Sequence, residues 1–66
     1  MSMKETYKHL FVTQVVSLVQ SGAYLSEVEC ESVIKKWMKG LKKEYQPRMV
    51  EIQMTAKRRL NNLVEI

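Results

Sequence analysis

SEVECESVIKKWMKGLKKEY, running from Ser26 to Tyr45, is the stretch that decides the fold. Ser26 and Glu29 have the spacing of a capping box, in which each side chain satisfies a free backbone donor of the other residue at a helix start. Leu25 and Cys30 flank that box where a hydrophobic staple would close it. From Val28 onward, Cys30, Val33, Ile34, Trp37, Met38, Leu41 and Tyr45 gather on about 140° of a helical wheel, one continuous apolar face. Lys35, Lys36, Lys39, Lys42 and Lys43 occupy about 120° on the opposite side. Because Leu41 and Tyr45 stay in phase past Gly40, the pattern predicts a helix over 27–45, with Gly40 as an interior glycine that costs about 1 kcal/mol.

Upstream, Ser2 and Glu5 repeat the capping-box spacing and predict a first helix over 3–21. Tyr7, Phe11, Val12, Val15, Val16, Leu18 and Val19 share one half of its wheel, and Thr6, His9, Thr13, Ser17 and Gln20 the other. The four valines favour a strand. Strict alternation is absent, however, so the helical period prevails. Gly22 after Ser21 is a natural left-handed stop. Downstream, Pro47 suits a first helical position and predicts a third helix over 47–64. Met49, Ile52, Ala56, Leu60 and Leu63 form its narrow apolar stripe, and Arg59 breaks the heptad that a coiled coil would need.

The expected architecture is a single all-α domain over residues 1–66, a helical hairpin plus a third helix in a small three-helix bundle. At 66 residues the chain is near the size at which a core needs help from disulfides, metals or a second subunit. One cysteine excludes an intrachain disulfide and points to a reducing, cytoplasmic setting. Cys30 and His9 alone are too few for a structural zinc site. Dimerisation is therefore the expected means of completing the bundle, with Phe11, Val12, Val15, Val16, Val19 and Trp37 as the candidate oligomer interface. No uninterrupted apolar run exceeds three residues, so no membrane span is expected. The mildly signal-like start is read as helix, since Thr13, Gln14 and Ser17 interrupt it.

No catalytic constellation emerges. Aspartate is absent, there is no glycine-rich phosphate loop, and a Cys–His pair would have to join Cys30 to His9. Helix-start geometry favours a thiolate at Cys30, but Glu29 and Glu31 oppose it, so the residue reads as a small buried hydrophobe. The expectation is a protein that is not an enzyme and carries no cofactor and no metal.

Charge is more informative. Residues 1–34 carry Lys4 and Lys8 against Glu5, Glu27, Glu29 and Glu31, a net of −2; residues 35–66 carry nine cations against Glu44, Glu51 and Glu65, a net of +6. Like charges three or four apart on a helix repel, and stability alone would interleave acids. The candidate nucleic-acid-binding residues are therefore Lys35, Lys36, Lys39, Lys42, Lys43 and Arg48, acting mainly on the phosphates of DNA or RNA. A merely solvated lysine face is the alternative. Between Lys8 and Glu27 no side chain is formally charged at neutral pH, so the first helix is expected to be covered on most sides by its bundle and a partner. Two functions follow as expectations: a small regulatory or accessory homodimer that binds nucleic acid, or a module that docks an amphipathic helix on a partner protein.

Overall fold

The computed structural model describes residues 2–23 and 26–64. Three helices form a small bundle: α1 over Met3–Gln20, α2 over Glu27–Met38 and α3 over Met49–Val64, with a 3-10 turn at Lys43–Tyr45. No strand occurs among the described residues. Leu25 of the expected staple and the side chain of Leu63 lie outside the described residues.

Local chemistry sets most of the boundaries. Ser2 Oγ accepts the Glu5 backbone N–H at 3.3 Å, which opens α1. The Glu5 carboxylate lies toward Lys8 at 3.4 Å and His9 at 3.8 Å, so only half of the expected box forms. Gly22 has φ 93 and ends α1 as a left-handed stop. Its N–H donates to the Val19 carbonyl, and the Ala23 N–H to that of Leu18, each at 3.2 Å. That pair of bonds satisfies carbonyls which a helix end otherwise leaves open. At α2 both halves of the Ser26–Glu29 box are made.

Two boundaries differ from the periodic reading. α2 stops at Met38, and Lys39 and Gly40 form a turn, so Gly40 is a break and not an interior glycine. The Gln46 side chain explains the stop: its Nε2 donates to the carbonyls of Met38 at 3.2 Å and Leu41 at 2.9 Å. Leu41 still packs on the core, and the Tyr45 ring lies 6.3 Å from that of Tyr7, but both arrive from the connection and not from α2. Pro47 is buried in that connection, and α3 begins two residues later, with the Ile52 N–H donating to the Arg48 carbonyl at 3.2 Å.

The core consists of Phe11, Val12, Val15 and Val16 from α1, Ile34 from α2, and Ile52 and Ala56 from α3. Val12, Ile34 and Ile52 are 0% exposed. Burying each such branched side chain contributes about 1.5–3 kcal/mol. α1 packs chiefly along α3, while α2 and the 3-10 turn close the remaining side. Of the residues expected at an oligomer interface, Phe11, Val12, Val15 and Val16 are 4%, 0%, 5% and 7% exposed and form part of the chain's own core. Val19 and Trp37 are half-buried at the margin of the same core.

Candidate nucleic-acid interface

Charge is graded along α2. Glu27 and Glu29 occupy its first turn, Lys35 and Lys36 its last, and Lys39 caps it. The helix dipole favours acids at the N-terminus and bases at the C-terminus, so part of this lysine placement stabilises α2 itself. Lys35 also pairs with Glu31, four residues earlier, at 3.3 Å. Lys36, Lys39, Lys42, Lys43 and Arg48 are exposed, and among the described residues no carboxylate lies within 4.0 Å of their charged groups.

The single helical row expected from the wheel becomes two groups, because α2 ends before the row does. Lys35, Lys36 and Lys39 remain on α2 and its cap, where with Ser32 and Val33 they line a shallow groove of about 290 Å³. Lys42 and Lys43 ride the connection, and Arg48 stands at its far end, just ahead of α3. Glu44 lies among them in sequence without an ion pair in the described structure.

A second groove, of about 300 Å³, lies between α1 and α2 and is lined by Gln14, Ser17, Leu18 and Trp37. Trp37 stacks on Phe11 with ring centroids 5.7 Å apart and planes 30° from parallel. Its place in the apolar arc accounts for that contact. What the wheel could not show is that the rest of the indole borders an open groove. The neutral strip of α1 is also open in the single chain: Leu10, Thr13, Gln14, Ser17 and Gln20 are exposed, so the bundle by itself leaves it uncovered. One cation reaches the strip from elsewhere, since Arg59 Nη1 on α3 donates to Thr13 Oγ1 at 3.4 Å.

The remaining candidates lie apart from both grooves. Burial pushes the Cys30 thiol up from its ordinary value, and the carboxylates of Glu29 and Glu27 push it further. A group so held is a poor thiolate. Cys30 instead helps to line an apolar cleft of about 300 Å³ with Val15, Val19, Ala56 and Leu60. His9 is exposed beside Glu5. Among the described residues no three His, Cys, Asp or Glu side chains are grouped to hold a metal ion, and no helix is long and apolar enough to cross a membrane. On α3, Val50 and Met54 are 51% and 58% exposed, and Met54 shares an open groove with Lys57, Arg58, Asn61 and Asn62.

Compared with known protein families, curated proteins and solved structures, the chain matches none.

Proposed function

We propose that this protein is a non-catalytic regulatory or accessory factor that binds nucleic acid through its phosphates. The observation that carries the reading is the set of exposed cations without carboxylate partners among the described residues, Lys36, Lys39, Lys42, Lys43 and Arg48, on the half of the chain with a net charge of +6. The helix dipole favours basic residues at the end of α2, which accounts for Lys35, Lys36 and the cap residue Lys39 but not for Lys42, Lys43 and Arg48. Each phosphate neutralised releases condensed counterions, so binding should weaken steeply with salt. The lysines belong to one chain, so the reading requires no second copy.

Fluorescence anisotropy with labelled oligonucleotides tests it. Log K against log salt should fall with a slope of about −4 on duplex DNA, the value for four or five phosphate contacts. The triple charge reversal Lys36→Glu, Lys39→Glu, Lys42→Glu should abolish binding while leaving the helical circular dichroism unchanged. Undiminished affinity in that variant would overturn the proposal.

The exposure of Val50 and Met54 beside Lys57 and Arg58 favours a second reading, in which α3 docks on an acidic, partly apolar partner protein. Such a partner should be retained after nuclease treatment and in about 0.5 M salt, where phosphate contacts are largely lost.

A further inference from the structure

We infer that the nucleic acid bound is single-stranded, with a base lodged against Trp37 in the groove between α1 and α2. This rests on the phosphate-binding reading above and adds what the second groove contributes. Both grooves have a wall on α2: Val33 lines the lysine groove, and Trp37, one helical turn further on, lines the other. Lys36 stands between Val33 and Trp37 in sequence and faces the lysine side.

The walls of the Trp37 groove suit an uncharged, planar, polar-edged group. Stacking on Phe11 holds the indole in place, so ordering it for a ligand is already accomplished by the fold. Leu18 adds an apolar surface, while the Gln14 carboxamide and the Ser17 hydroxyl each offer both a donor and an acceptor. Such groups can pair with the edge of any base, which implies weak sequence preference. Every residue between Lys8 and Glu27 is formally uncharged at neutral pH, so the α1 wall presents neutral groups while the lysines one turn away meet the backbone. Bases in a duplex are paired and stacked inside it. Those of a single strand can splay out onto an aromatic surface.

Charge density makes the inference separable from phosphate binding alone. A duplex carries more condensed counterions per unit length than a single strand, so a site made only of lysines prefers the duplex. Preference for the single strand therefore requires contacts with bases.

Trp37 is the only tryptophan of the chain, so its emission reports directly on the groove. The test titrates the full chain, at one fixed salt concentration, with an oligothymidylate of about twelve nucleotides and with a duplex of the same length. The single strand should bind about ten-fold more tightly than the duplex, as one stacked base implies, and should quench Trp37 emission, which the duplex should not. The exposed pair Gln14→Ala, Ser17→Ala should lower single-strand affinity about five-fold, leaving duplex affinity and salt slope unchanged. Equal or tighter binding of the duplex with no change in Trp37 emission overturns this inference and leaves phosphate binding standing. Binding of neither probe overturns both.

Discussion

The side-chain amide of Gln46 donates to the backbone carbonyl of Leu41 at 2.9 Å, and from the same nitrogen to that of Met38 at 3.2 Å. Gln46 thereby closes the end of α2 from eight residues downstream and gathers the segment that carries Lys42 and Lys43. Replacing it with alanine leaves part-buried carbonyls without this donor, a loss of about 1–3 kcal/mol. Urea denaturation of Gln46→Ala should register that loss, and amide exchange over residues 39–46 should accelerate. Wild-type stability and exchange in the variant would show that the clamp does not hold the segment.

Ile34 and Ile52, from different helices, are completely enclosed. Truncating either to alanine should cost about 2–5 kcal/mol. A chain of this length has roughly 3–10 kcal/mol of stability in all, so either variant should be partly unfolded at room temperature. Val28→Ala is the control, because Val28 is 74% exposed and its loss should stay within about 0.5 kcal/mol. Thermal melts followed by circular dichroism separate the two cases.

The two glycines should respond oppositely to alanine. At Gly22 a Cβ would meet nothing within 4 Å, but φ is +93, so the penalty is one of backbone conformation, about 1–2 kcal/mol. Gly40 has equal space and no positive φ, and Gly40→Ala should stabilise by about 0.4–1 kcal/mol by restricting the unfolded chain. Chemical denaturation midpoints measure both signs.

Cys30 should resist alkylation in the native state, and reaction with iodoacetamide at pH 8 should accelerate on unfolding. Its folded pKa lies above the ordinary 9.0, chiefly through burial and then through Glu29 and Glu27. The folded state therefore holds the thiol proton more tightly than the unfolded state does. This contribution to stability is fully present below pH 9 and is lost as pH rises through the folded value. Cys30→Ser should flatten that alkaline part of the stability profile, and an unchanged profile would show that the thiol does not contribute to it.

Much of the fold is legible in residue order because helix signals are local. The Ser26–Glu29 box, the Gly22 stop and the apolar periodicities each involve residues within about one turn of one another; the box and the stop appear where expected, and the periodicity of α2 holds as far as Met38. The lysine site was only partly legible. Charge counting finds the residues, but the wheel assumes that the helix continues, and the break at Met38 redistributes Lys42 and Lys43. The Trp37 groove was less legible. Trp37 stands among the lysines in sequence, which suggests base stacking, but its place in the apolar arc assigns it to the core or an interface, and the groove's lining comes from two helices.

Residue order by itself determined three helices, the acidic start and basic end of α2, and which side of each would be apolar, because period and capping depend on neighbours along the chain. Tertiary structure alone decided what covers those sides. α3 folds onto the valines of α1, so Phe11, Val12, Val15 and Val16 belong to the chain's own core. It also decided where α2 ends, since Gln46 reaches back to Met38 and Leu41 once the chain has turned. A wheel specifies the direction in which a side chain leaves its helix; the partner it meets depends on the packing of segments distant in sequence.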